Sequence, residues 1–280
     1  MTTADTTPFA FSLNRKNILV VGSGRLGRTI LHSFPEWVVG CLTREPHKIV
    51  PAFSDRGIRL YGHLAEVDPA SFDILWLALP DSLIEEISRV SAEVIVDWKN
   101  KLVIHSSGAT SLSALCSFEE RGAFTAVLHP NLILRGDDPF PDRTIWGATF
   151  SSPELRSSVN SLLKGYSKQL IDIADGSRSL YHLAATFTAN YPMTLFHFAK
   201  QIYHAVGISE EISTELAREY MLESVETVAA RGLSSGLTGP VARGDELTID
   251  EHASVLAREF PEMLPLFREL VKATKRLHQN

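Results

Sequence analysis

The stretch that most limits what this chain can become is "NILVVGSGRLGRTILHSF", Asn17 to Phe34. A short run of branched apolar residues is followed at once by Gly22, Gly24 and Gly27, and then by a segment with helical period. A strand must therefore turn directly into a helix. Gly22 allows the tight turn, Gly24 lets the backbone approach a ligand, and Gly27 lets the helix pack closely on the strand. The free amides of a helix N-terminus face negative charge, so the loop of Gly22, Ser23, Gly24, Arg25, Leu26 and Gly27 is expected to cradle the pyrophosphate of a dinucleotide. A glycine-rich turn without a ligand is the plain alternative, and the strand and helix on either side argue against it.

The rest of the N-terminal half fits such a unit. "VVGCL", "DILWLALP", "KLVIHSS", "AFTAVLHP", "IWGATF" and "KQLIDI" are short and nearly continuous in apolar residues, as strands covered on both faces must be. Alternating with amphipathic segments, they predict an α/β fold with a doubly wound parallel sheet of the Rossmann type. From Ser177 the period changes. Two long segments, Ser177 to Gly207 and Ser209 to Gly232, are helical in period and end at glycine. The chain is therefore expected to comprise a flexible tail over 1–14, a dinucleotide-binding domain over 15–175 and a helical substrate or dimerisation domain over 176–280.

The kind of dinucleotide is decided about 20 residues after the glycines, where an acidic side chain would hold the ribose of NAD. Here "CLTREPHK" puts Thr43 and Arg44 in that place, and a guanidinium pairs well with a 2′-phosphate. NADP is the expected cofactor. Arg25 could flank the same phosphate; Glu45 argues mildly for NAD if the strand end shifts by a residue or two, and a solvated surface arginine is the plain alternative for Arg44. Leu79 and Pro80 end the next strand run and would press the backbone against the cofactor, and Ser106 would lie at the same sheet edge. Ser107 either contacts substrate or caps the following turn.

Two features predict a substrate site. His129 ends a strand, and an imidazole can carry the proton that accompanies hydride movement; it could instead bond a neighbouring carbonyl. His182, Thr186 and Asn190 recur every four residues, a polar stripe that must be paired internally or face a cavity. His129, His182 and Asn190 are the candidate catalytic residues, with Ser107, Thr186, Thr238 and Arg243 as candidate substrate contacts. Thr238 and Arg243 lie in "SSGLTGPVARGD", which breaks the helical pattern with three glycines and a proline.

Composition closes off other classes. A net charge of -6 with scattered lysine and arginine gives no basic stripe for nucleic acid. Two separated cysteines suggest neither a disulfide framework nor a metal site, and fit a reducing cytoplasm. No apolar run approaches the roughly 20 residues of a membrane helix.

Together "VVGSGRLG", "ALPDSLI", "HSSGA", "GAFTAVLHP", "YHLAATFTANY" and "GLTGPVARGD" with the later "DEH" resemble bacterial proteins that join a Rossmann-like NADP-binding domain to a helical domain of unassigned function. That group lies among the relatives of 6-phosphogluconate dehydrogenase, pyrroline-5-carboxylate reductase and ketopantoate reductase. The resemblance implies a helical domain like the C-terminal domain of 6-phosphogluconate dehydrogenase, an interdomain site and a homodimer. It implies an NADP-dependent oxidoreductase acting on a small polar carbonyl, hydroxy or imine substrate. The better-known β-hydroxyacid dehydrogenases offer a lysine and an asparagine four residues apart on the interdomain helix. Asn190 fits the second place, but Thr186 stands in the first and cannot donate that proton, so His129, His182 or water must serve. A non-catalytic NADP(H)-binding sensor is the alternative.

Overall fold

The computed structural model describes residues 17–48, 57–95 and 97–277; the tail expected over 1–14 lies outside them. Contacts divide the chain into one compact unit up to Thr186 and a second from Phe187. The division falls inside a helix, Arg178–Ala189, rather than at the change of period near 175, because the first turns of that helix are bound into the first unit.

The first unit is built on one eight-stranded sheet. Its strands are β1 (Ile18–Val21), β2 (Val38–Leu42), β3 (Arg59–Tyr61), β4 (Ile74–Leu77), β5 (Leu102–His105), β6 (Phe124–Pro130), β7 (Ile145–Phe150) and β8 (Gln169–Asp172), in the spatial order β3-β2-β1-β4-β5-β6-β7-β8. Seven of them are the apolar runs named above. β3 was not expected: "RLY" is three residues long, begins with arginine and carries no apolar period. The sheet is mostly parallel, as expected of a doubly wound fold, with one departure. β7 runs antiparallel to β6. The segment between them, with Gly136, Pro139 and Pro141, forms no helix that could carry the chain back across the sheet, as a parallel partner requires.

Side chains alternate across the strands, so the sheet separates two apolar layers. Ile18, Val20, Trp76 and Trp146 point to one side with Ile30 and Leu31 of α1 (Arg25–Ser33) and Phe34 at its C-cap. Leu19, Val21, Leu75 and Leu77 point to the other with Ile84 of α2 (Asp81–Val94) and Phe118 of the short α3 (Cys116–Glu119). Each such side chain, fully buried, contributes about 1.5–3 kcal/mol. A further helix, α4 (Leu155–Leu162), packs Val159 and Leu162 into the first layer. Chain order reverses between β1 and β4, which are neighbours in space although β2 and β3 intervene in sequence. Open α/β sheets bind ligands at such a reversal, outside the carboxyl ends of the strands.

The long helix expected from Ser177 is two helices, α5 (Arg178–Ala189) and α6 (Tyr191–Ala205). Pro192 has no amide to offer Thr188, and the helix restarts with proline in its first turn, where the missing donor costs nothing. The second unit continues with α7 (Glu210–Arg231), α8 (Leu233–Gly236), α9 (Gly239–Arg243), α10 (Glu246–Glu259) and α11 (Leu264–Leu277). α7 starts at Ser209, whose hydroxyl accepts from the Ile212 amide, and stops at Gly232 with φ 76°. "SSGLTGPVARGD" is thus mostly two short helices rather than a loop, set off by glycines in the left-handed region. Among the described residues no helix is long and apolar enough to cross a membrane.

Candidate functional site

At the strand-order reversal the glycine turn has the packing its sequence demands. A Cβ on Gly22, whose φ is +110°, would stand 2.3 Å from the Ala78 carbonyl oxygen at the end of β4. One on Gly27 would stand 2.0 Å from the carbonyl oxygen of Gly22. Gly24 is different: a Cβ there would meet nothing within 4 Å. Its bareness does not serve the packing of the chain against itself. Gly24 is the N-cap of α1, so the open space lies where the helix leaves its first amides unpaired.

That space belongs to a cavity of about 640 Å³. Gly22, Ser23, Gly24, Thr43, Arg44, Leu79 and Pro80 line it, together with Leu83, Ile87 and Val90 of α2. Seven of the expected cofactor contacts are therefore on one wall system. Arg25, Leu26, Gly27 and Ser106 are not on it: Arg25 is exposed beside the Gly136 backbone, Leu26 packs on the apolar layer, Gly27 supports the turn from behind, and Ser106 accepts from Trp76 Nε1 at 2.9 Å. The hydroxyls of Thr43 and Ser23 lie 2.6 Å apart, joining the end of β2 to the glycine turn, and Thr43 Oγ1 also accepts from the Glu45 amide. Arg44 and Glu45 are both exposed on the cavity wall.

A second polar group gathers at the carboxyl end of β6. His129 Nδ1 lies 2.9 Å from the Tyr181 hydroxyl, and Asn131 Nδ2 donates to that hydroxyl at 2.6 Å. His182, one residue after Tyr181 on α5, sets its ring edge-on to His129 with centroids 5.6 Å apart. Its Nδ1 is buried without a hydrogen-bond partner. Two glycines make the room. A Cβ on Gly108 would come within 2.2 Å of His182 Nδ1 and 3.0 Å of His129 Nε2, and one on Gly147 within 2.3 Å of the Tyr181 hydroxyl.

Arg178 fastens this group to the sheet. It is 1% exposed and donates to the Ser107 carbonyl at 2.9 Å, the Thr110 carbonyl at 3.1 Å and Thr149 Oγ1 at 2.8 Å. Ser107 Oγ in turn accepts from the amides of Ala109 and Thr110, so it caps the turn that carries Gly108. Burial, then the neighbouring His182 and the Arg178 charge, push His129 down to about 4, so the ring is neutral at pH 7. Burial also pushes His105 down to about 4. Its Nδ1 accepts from the Ser107 amide and its Nε2 faces the Ser111 carbonyl, an arrangement only a neutral ring can satisfy. Burial raises Tyr181, which keeps its proton.

The structure thus joins His129 and His182 and adds Tyr181, Asn131 and Arg178, to which no role attached in the sequence. Thr186 donates back to the His182 carbonyl at 3.2 Å. Asn190 belongs to the second unit, exposed at the break between α5 and α6, and makes no side-chain cap there. Thr238 and Arg243 also belong to that unit, before and within α9. Asp245, just beyond, caps α10 by accepting from the Thr248 amide at 3.1 Å and its hydroxyl at 2.8 Å. Those bonds, with Arg243 and His252 behind them, hold its carboxyl below the usual range.

Comparison with known proteins adds the following. Residues 145–274 match a family described as a domain of unknown function (DUF2520). No curated protein matches the sequence. Among solved structures, BF3122 of Bacteroides fragilis, a candidate NADP oxidoreductase by name, has a TM-score of 0.77 at 20% identity over 96% of this chain and 100% of its own. A reductive aminase from Aspergillus terreus, in complex with NADPH and ethyl-5-oxohexanoate, has a TM-score of 0.72 at 17% identity over 94% of each chain. The Plasmodium falciparum pyrroline carboxylate reductase with NADP bound has a TM-score of 0.58 at 13% identity, covering 94% of this chain and 98% of its own. At such identities the likeness is one of fold: a Rossmann-like unit followed by a helical one.

Proposed function

We propose that this chain is an NADP-dependent oxidoreductase that moves hydride to or from a small polar carbonyl, hydroxy or imine substrate. The observation that carries the reading is Gly24, left bare at the mouth of a cavity at the strand-order reversal, with Thr43 and Arg44 on the same wall. The cavity volume is in the range of small-molecule sites. The three named structures of like fold, called oxidoreductase, aminase and reductase, support the class of reaction.

When bound, NADPH supplies the hydride. The residues of the chain do the rest. The amides that open α1 would face the pyrophosphate, and Leu79 and Pro80 would wall the cofactor, Pro80 without a backbone donor. Arg44 would pair with the 2′-phosphate. His129, neutral at pH 7, would hold a hydrogen bond to the reacting oxygen or nitrogen, and in the direction of reduction the accompanying proton would come from water. An imine that arrives already protonated needs less of that help, so imines suit a site without a lysine.

Binding of NADPH, followed by its fluorescence, tests the reading directly, and its absence at micromolar concentration ends it. The contact with Arg44 has its own test. A charge-assisted hydrogen bond to phosphate contributes about 1.5 kcal/mol or more, so Arg44→Asp weakens NADPH by roughly tenfold or more and NADH far less. Equal loss for both cofactors refutes the phosphate contact.

We propose further that the chain works as a homodimer joined through its helical unit. In that unit Val206, Leu222, Val225, Leu247 and Leu266 are exposed, and among the described residues the buried hydrophobic ones are Ala217, Ile249 and Met263. α6 buries none of its residues. A helical unit that leaves so much apolar surface open lacks the core its size requires. Light scattering on the eluting full-length protein is expected to give the mass of two chains; the mass of one chain contradicts the proposal.

A further inference from the structure

Asn131 fixes more than its own position. Its side-chain nitrogen lies 3.0 Å from the Ile145 carbonyl oxygen, which can only accept, so the atom there is the amide nitrogen and not its oxygen. The same NH₂ group donates its second hydrogen to the Tyr181 hydroxyl at 2.6 Å. With its oxygen engaged as an acceptor, the hydroxyl directs its own hydrogen to the remaining partner, His129 Nδ1 at 2.9 Å. Nδ1 then carries a lone pair, and in a neutral imidazole the hydrogen must sit on Nε2.

We infer that Tyr181 and Asn131 are positioning residues that set the tautomer of His129, making its Nε2–H the hydrogen-bond donor of the site. The donor role rests on the oxidoreductase reading; the tautomer does not. Four further features bear on it. Gly147, paired with His129 across β6 and β7, lacks the Cβ that would fill the place of the Tyr181 hydroxyl. His129 and Tyr181 meet edge to face at 5.5 Å, which holds the imidazole plane. On the other side, Nε2 and the unpartnered His182 Nδ1 both converge on the point that a Gly108 Cβ would occupy, so the glycine leaves both nitrogens room. Arg178, over the Tyr181 ring at 5.9 Å, adds a fixed positive charge that disfavours a second proton on His129.

The test needs neither substrate nor turnover. In the full chain with ¹⁵N-labelled histidine, the His129 resonances are identified by their loss in His129→Gln, and one-bond coupling shows which ring nitrogen bears hydrogen at pH 7. The wild type is expected to show hydrogen on Nε2 alone. Tyr181→Phe removes the donor to Nδ1, and both tautomers should then be seen. Hydrogen on Nδ1 in the wild type, or an unchanged Nε2–H form in Tyr181→Phe, overturns the inference. Should Tyr181→Phe not fold, Asn131→Asp serves. Its carboxylate accepts from the Tyr181 hydroxyl, whose oxygen must then accept from His129, so the hydrogen should move to Nδ1; an unmoved hydrogen is again fatal. NADPH titration of the same samples keeps the two ideas apart. A chain with the Nε2–H form that binds no NADPH would lose the proposed function and keep the tautomer, and the converse result would do the opposite.

Discussion

Gly24→Ala is expected to leave the fold intact and to weaken NADPH by about 5- to 150-fold, the equivalent of the roughly 1–3 kcal/mol that one methyl group costs in a filled contact. Gly24 has φ −67° and ψ −171°, a conformation any residue adopts, and a Cβ there touches nothing. Alanine is a poorer N-cap than glycine, but it also restricts the unfolded chain; each effect is about 1 kcal/mol or less, and they oppose each other. The melting temperature should therefore stay nearly constant. Gly22→Ala is the contrast. Its Cβ would press on the Ala78 carbonyl at a φ of +110°, so it should lower stability whether or not a ligand exists. Calorimetry and NADPH titration on both variants separate the outcomes. If Gly24→Ala binds NADPH like the wild type, the glycine turn is only a turn, and the proposed cofactor site fails with it.

The second large effect concerns Arg178, a buried cation whose three partners are two carbonyls and a hydroxyl rather than a carboxylate. Arg178→Met keeps much of the volume and removes every donor. The Ser107 and Thr110 carbonyls then remain inside without partners, at about 1–3 kcal/mol each. Releasing the desolvated charge returns part of that, since burial already disfavours the charged form. The net loss is about 2–4 kcal/mol, a fall of roughly 4–16 °C in melting temperature for a unit of this size. Arg178→Lys, with one ammonium for three acceptors, should recover only part. A melting temperature within a degree of the wild type would show that the guanidinium is not what holds the turn of Gly108 to α5.

Much of the first unit was legible because its strands are buried on both faces. A run such as Ile74–Leu77 has no solvent-facing position at which a polar residue could obscure it. β3 escaped for the opposite reason: Arg59 is exposed, and three residues carry no period. The antiparallel β7 could not be read either, because "IWGATF" would look the same in both directions. Direction is set by the connection, whose prolines deny it a helix. In the site, Gly22, Gly24 and Arg44 were found by spacing along the chain. Tyr181 and Asn131 lie 50 residues apart in sequence and meet only because α5 and the end of β6 come together over Gly147. No local pattern encodes that meeting. The bareness of Gly108 and Gly147 was its only trace, and a lone glycine in a strand is ordinarily read as a bulge or a close backbone approach.

The antiparallel joint between β6 and β7 also bears on what can be cut from this protein. The matched family segment begins at Ile145, the first residue of β7. Yet β7 and β8 complete the sheet of the first unit, and Trp146 and Ala148 are wholly buried in its core. A fragment starting at Ile145 would carry the helical unit with two orphaned strands, one exposing the row of amides and carbonyls that β6 now pairs. The start of the matched segment and the boundary of independent folding fall in different places along this chain. The strands at the start of that segment can find their partners only in the half of the sheet that precedes it.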